Sequence, residues 1–129
     1  MTAFRAIVLE HFRHPRNRGP LDDATASAEG ANPLCGDRIR VQVRVVGGAI
    51  ADARFTADAC AICIASASVL TEHVRGMRVS DAAQVDARWI HASLEGEPPA
   101  GRAKCSTLPL DTLRRALNIS DGAARGVTL

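Results

Sequence analysis

Hydrophobic and polar residues alternate cleanly from Arg38 to Val45. Ile39, Val41, Val43 and Val45 fall on one face, and Arg38, Arg40, Gln42 and Arg44 fall on the other. A period of two is that of a half-buried strand. Gly47-Gly48 then supplies a two-residue hairpin turn, where positive φ costs glycine little. A second strand follows, with Ala51, Ala53, Phe55 and Ala57 inward and Asp52, Arg54 and Thr56 outward. Elsewhere the period lengthens. Residues 2–13 set Phe4, Ile7, Val8, Leu9 and Phe12 at helical spacing, and Pro15 with Gly19-Pro20 stops that helix. Residues 21–34 read as a loop with a short strand around Ala24 to Glu29.

Asp58 is expected to cap a long helix from about Ala59 to Arg75, ending at Gly76. Its small residues, Ala61, Ala65, Ser66, Ala67 and Ser68, point to close packing against another element. Ser80-Asp81 begins a further helix carrying Ala82, Val85 and Trp89, and residues 97–101 form a turn. Pro109 suits the first position of a last helix, with Leu110, Leu113 and Leu117 on its inner face. The polar, Gly-rich stretch 120–129 reads as a flexible tail. The sum is one α+β domain over residues 1–129, a small antiparallel sheet with helices packed on one face.

Composition sharpens this picture in three ways. Hydrophobic residues make up 47% but aromatics only 3%, so Ala, Val, Ile and Leu must build the core. A formal net charge of +2 is too small to argue for nucleic acid or an anionic membrane as partner. No stretch is long and apolar enough to span a bilayer, and the first dozen residues lack the continuous apolar run of a signal peptide, so the cytoplasm is expected.

In that compartment the four cysteines are better read as ligands or reactive thiols than as a disulfide framework. Three of them stand in distinctive settings. Cys35 belongs to the run Asn32-Pro33-Leu34-Cys35-Gly36-Asp37, two residues from Asp37 and just before a strand, so an extended backbone points both side chains the same way. Cys60 opens the long helix, where unpaired N–H groups and the helix dipole favour thiolate. Cys105 sits a few residues ahead of the last helix in a similar field, next to Lys104, the only lysine of the chain. Thiolates bind zinc and iron-sulfur clusters, and a carboxylate can complete a four-coordinate site. Spacing permits Cys35, Asp37, Cys60 and Cys105 to converge and does not require it.

Plainer readings stand beside these. Any free cysteine can be core, and Asp37 can end a strand or cap a turn. Cys60-Ala61-Ile62-Cys63 spells C-x-x-C, a thiol–disulfide couple in some settings, but one turn into a small-residue helix Cys63 is better read as core. His11, His14, His73 and His91 form no cluster in sequence and read as surface or packing residues.

Four segments together resemble the NifU/IscU/SufU family of iron-sulfur assembly proteins. They are the opening stretch 4–19 with its Pro15-Arg16-Asn17-Arg18-Gly19 end, the run Asn32 to Asp37, the segment Ala59 to Ser68, and Arg102-Ala103-Lys104-Cys105-Ser106-Thr107-Leu108. The resemblance implies a NifU-like α+β fold in which Cys35, Asp37, Cys60 and Cys105 meet at one metal. It also implies a cysteine desulfurase as partner, apo iron-sulfur proteins or downstream cluster carriers as recipients, and a monomer or weak homo-oligomer. Branch features are mixed. Lys104 stands where IscU-type chains carry histidine, as in SufU-type chains. Yet only 45 positions separate Cys60 from Cys105 (105 − 60), without the insertion of roughly twenty residues typical of SufU, a length comparable to a helix-containing connection.

Two functions follow from the resemblance. One is a scaffold that assembles and passes on a [2Fe-2S] cluster, with Asp37 keeping it labile. The other is a Zn²⁺-bound sulfurtransferase relaying persulfide through Cys105, whose freed anion Lys104 would stabilise. A structural zinc domain is a third reading, although such sites seldom use aspartate.

Overall fold

A computed structural model describes residues 5–118, in which eight elements follow one another. Helix α1 (Ala6–Arg13) leads into three strands, β1 (Ala26–Asn32), β2 (Asp37–Val46) and β3 (Ala49–Asp58). The helices α2 (Ala61–Val74), α3 (Val79–Ala82), α4 (Ala87–Ser93) and α5 (Ala103–Ala116) complete the chain. The strands form one antiparallel sheet in the order β1-β2-β3, and the helices pack on its inner face. This is the expected α+β architecture. The stretch 120–129, read as a tail, and Phe4 lie outside the described residues.

The period-two pattern sets the inner face. Ile39, Val41 and Val43 of β2 are buried, and Gly47 and Gly48 turn the hairpin with φ of 61° and 79°. On β3 the expected inward set needs one correction. A register shift sets Arg44 opposite Asp52 but Val45 opposite Ile50, which leaves Ala51 as an extra residue. Such a bulge flips side chains beyond it, so Ile50 is buried and Ala51 exposed.

Helix α2 is buried nearly all round, as a helix in the middle of a domain must be. It packs against α1, α5, β3 and α4. Its serines sit in the interior with partners: Ser66 Oγ donates to the Ser106 carbonyl at 2.6 Å, and Ser68 Oγ accepts from the Arg16 N–H at 2.9 Å. On α1 the buried positions are Val8 and His11, while Phe12 is exposed, contrary to expectation. His11 Nδ1 lies 2.7 Å from Ser68 Oγ, and burial together with the Arg16 guanidinium lowers the imidazole pKa, which suits a neutral packed ring. The Pro15–Gly19 stretch then runs along β3: the Phe55 N–H donates to the Asn17 carbonyl at 3.0 Å, and the Gly19 N–H to the Phe55 carbonyl at 2.8 Å.

Several expected boundaries differ. Strand β1 runs Ala26–Asn32 rather than around Ala24 to Glu29. Helix α1 begins at Ala6, with Arg5 extended before it. The helix expected from Ser80 is two short ones, because Asp86 starts a new helix by accepting the Trp89 N–H. Pro109 lies inside α5 rather than at its start, six residues after Ala103, so Cys105 belongs to the first turn of that helix.

Helix α5 packs across β1 and β2. The close approach is made at Gly30, where an added Cβ would meet Thr112 Oγ1, with Arg115 and Leu108 atoms 3.0 and 3.1 Å away. A strand glycine marks such an approach. Gly30→Val is therefore expected to destabilise the domain by about 2–3 kcal/mol through overpacking. A urea unfolding curve with an unshifted midpoint would contradict this.

Candidate metal centre

The strand–turn–strand geometry brings three sequence-distant segments to one corner. Cys35 lies in the turn between β1 and β2, Asp37 is the first residue of β2, Cys60 caps α2, and Cys105 is the third residue of α5. Ligand atoms of Cys35, Asp37 and Cys105 lie within 4.8 Å of one another. Cys35 Sγ is 3.2 Å from Asp37 Oδ2 and 3.3 Å from Cys105 Sγ. Cys60 Sγ stands at the margin of this set, 3.6 Å from Asp37 Oδ2. Metal–ligand bonds of roughly 2.0–2.3 Å in a tetrahedral site put ligand atoms roughly 3.3–3.8 Å apart. The donors therefore fit a thiolate-rich, four-coordinate ion. Three of the four expected ligands, Cys35, Asp37 and Cys105, are brought together, and Cys60 borders them through Asp37.

Asp37 holds the corner together. Its Oδ1 accepts the Cys60 N–H at 2.9 Å, so a carboxylate from the sheet satisfies an orphan donor at the start of α2. Asp58, expected to provide that cap, is instead the exposed last residue of β3. The Asp37 side chain is only 2% exposed. Burial works to raise its pKa, but hydrogen bonds from Cys105, the Cys60 N–H, Cys35 and Cys60 outweigh burial and hold it below the ordinary carboxylate value.

Cys105 behaves differently from the sequence expectation. A helix N-terminus favours thiolate, yet here burial first, and then hydrogen bonding to Asp37 and Cys35, push the thiol pKa far up. Cys63 is wholly buried in the apolar core, where burial and the neighbouring Asp37, Cys60 and Cys35 charges also push its thiol up. That placement agrees with the core reading and removes Cys63 from the centre.

Among the described residues, the cation that interacts with the sulfurs is Arg102. Lys104 is exposed and, among the described residues, makes no hydrogen bond or ion pair with the cluster. Residues one apart on a helix point in different directions, whereas three apart they share a face. Cys105 faces inward, so Lys104 faces away, and Arg102 at the N-cap of α5 shares the side of Cys105. The Cys60 charge, and hydrogen bonding to Cys105 and Cys60, raise the Arg102 pKa. Arg102 was missed because the helix was expected to begin at Pro109. With the helix starting at Ala103, the i, i+3 spacing would have pointed to it. Asn32 was also missed, although it opens the Asn32-to-Asp37 run. It is buried, its Oδ1 accepts the Leu34 N–H at 3.2 Å, and its Nδ2 lies 4.0 Å from Cys105 Sγ.

None of the four histidines is at the centre. His11 meets Ser68, His73 stacks on Trp89 at 4.0 Å between ring centroids, His91 Nε2 lies 3.3 Å from Ser106 Oγ, and His14 is exposed.

Residues 3–122 match the family described as the NifU-like N terminal domain. The chain belongs to that family. The NifU-like chain is 34% identical over 110 residues to the iron-sulfur cluster assembly scaffold protein IscU 1 of Archaeoglobus fulgidus, covering 85% of itself and 71% of that protein. It is 37% identical over 81 residues to the zinc-dependent sulfurtransferase SufU of Bacillus subtilis, covering 63% of itself and 54% of that protein. It spans only 22% of the bifunctional protein NifU/MnmA of Rubrobacter xylanophilus, to which it is 38% identical over 84% of its own length. The crystal structure of a putative iron-sulfur cluster assembly scaffold protein for the SUF system from Fervidobacterium islandicum has the same fold. Its TM-score is 0.72 at 24% identity, over 89% of this chain and 96% of that one. No helix among the described residues is long and apolar enough to cross a membrane.

Proposed function

We propose that this NifU-like chain is an iron-sulfur assembly scaffold of the cytoplasm. It accepts sulfur from a cysteine desulfurase, holds a [2Fe-2S] cluster as cargo, and passes it to apo iron-sulfur proteins or downstream carriers. The observation that carries this reading is the gathering of Cys35, Asp37 and Cys105, bordered by Cys60, at a corner where Cys35 is open to solvent. A resident structural ion has no need of an exposed ligand, whereas cargo must enter and leave. Asp37 is the donor that permits release, since a carboxylate holds soft metal less firmly than thiolate does.

Sulfur arrives by a displacement that this chain's residues can support. Cys105 loses its proton, its thiolate bonds to the outer sulfur of the donor's persulfide, and the bond to the donor's cysteine breaks, which frees the donor thiolate. Arg102 beside Cys105 stabilises the anion, the role expected of Lys104.

A second reading, a zinc-dependent sulfurtransferase, is favoured by the compactness of the donor set. Three ligand atoms within 4.8 Å suit one ion, whereas a two-iron cluster divides its ligands between two metals. Zinc bound there would hold its thiol ligands deprotonated.

The deciding measurement is metal and acid-labile sulfide content of protein purified without oxygen, before and after incubation with a cysteine desulfurase, cysteine and ferrous iron. Roughly paired iron and sulfide is the result expected of a [2Fe-2S] scaffold. Persistent stoichiometric zinc with persulfide on Cys105 and no sulfide would replace it with the sulfurtransferase. Zinc with neither sulfur species would leave only a structural site.

A further inference from the structure

Access to the centre is one-sided. Cys105 and Asp37 are buried and Cys60 is half-buried, so Cys35 is the open member. A protein that delivers sulfur must therefore press against the turn that carries Cys35. Of the two residues flanking Cys35 in that turn, Gly36 has no side chain and Leu34 is 87% exposed. Among the described residues the next most exposed large apolar one, Val46, reaches 55% and sits at the far end of β2.

The turn is preorganised. The Cys35 and Gly36 N–H groups both donate to the Asn32 carbonyl, at 3.2 and 2.8 Å, and the Leu34 N–H donates to Asn32 Oδ1. Asn32 itself is buried and paired in the sheet with Asp37. The backbone of Leu34 is thus fixed before a partner arrives, and docking immobilises little more than one side chain. A rigidly presented apolar residue at the rim of a reactive centre has the form of an interface anchor, whose energy comes from entering a dry pocket.

We propose that Leu34 anchors the sulfur-donating protein, entering an apolar pocket beside that protein's persulfide and so setting the outer sulfur against Cys35 and Cys105. This rests on the sulfur-accepting reading above. Full burial of a leucine corresponds to roughly 10- to 100-fold in affinity. Leu34 acts on encounter with a protein donor and not on the thiol chemistry.

The test uses the whole chain as wild type, Leu34→Ser and Leu34→Met. Each is charged with persulfide from the cysteine desulfurase of the source organism, and separately from glutathione persulfide, which needs no docking. Persulfide is read by mass spectrometry, and zinc content and sedimentation are recorded for each variant. Leu34→Ser is expected to raise the half-saturating desulfurase concentration roughly 10- to 100-fold. Its maximal rate, its charging by glutathione persulfide and its zinc content should match the wild type, and Leu34→Met should restore most of the loss. An unchanged half-saturation overturns the proposal. So does an equal loss with glutathione persulfide, which would mean that the turn itself was damaged. A change in sedimentation without a change in half-saturation would assign Leu34 to contact between copies of this chain instead. Wild type charged by glutathione persulfide but not by the desulfurase overturns the anchor alone, and wild type charged by neither overturns the sulfur-accepting reading with it.

Discussion

Cys105→Ser is expected to lower persulfide acceptance by about two orders of magnitude or more, because a serine hydroxyl is a far weaker nucleophile than a thiolate. The fold should survive. Serine is smaller by little, and the buried hydroxyl would find Asp37 and Asn32 where the thiol now does, so the cost to stability should stay near 1 kcal/mol. Charging with a desulfurase and cysteine, read by mass spectrometry alongside a melting curve, separates the two effects. Full acceptance by the variant would move the acceptor role to Cys35 or Cys60, both open to some degree. Cys63 would remain excluded, since it lies among apolar core side chains and outside the group formed by Cys35, Asp37 and Cys105.

Asp37→Ala should act twice. As a lost ligand it should weaken zinc by about 10- to 100-fold or more, the scale that even outer partners of a metal site carry. As a lost helix cap it should destabilise the metal-free chain by about 0.5–2 kcal/mol, since the Cys60 N–H then has no acceptor at the start of α2. Asp37→Asn distinguishes these, because its amide oxygen can still accept that N–H while its charge is gone. Asparagine should restore most of the stability and little of the zinc affinity. With iron and sulfide the expected change has the opposite sense: without the carboxylate, a bound cluster should persist longer. If zinc affinity and cluster lifetime both match the wild type, Asp37 is not a ligand.

The hairpin of β2 and β3 was legible because a half-buried strand repeats every two residues, and Gly47-Gly48 marks its turn without ambiguity. Beyond that turn, pattern reading failed at Ala51, since a bulge inserts one residue and the alternation restarts out of phase. The long helix was legible from its run of small and apolar residues. Its cap was not: the local candidate, Asp58, lost to Asp37, which lies more than twenty positions earlier in the chain but beside Cys60 in space.

The four ligand candidates were nameable from sequence because thiols and a carboxylate in loop and helix-entry settings suit few other roles, and because family resemblance tied them together. Their order of exposure was not nameable. Burial of Cys105 behind an exposed Cys35 depends on α5 crossing β1 at Gly30, a packing that no local pattern encodes. The same crossing decides which cation serves the site. Lys104 adjoins Cys105 along the chain, but helical geometry turns it outward and brings Arg102 round to the sulfurs. Sequence by itself determined the element types, the candidate ligands and the family, because these follow from local periodicity, residue chemistry and the motif segments. Tertiary structure alone decided the cap, the cation, the burial and the open side of the centre, because each depends on which distant segments share a few ångströms of space.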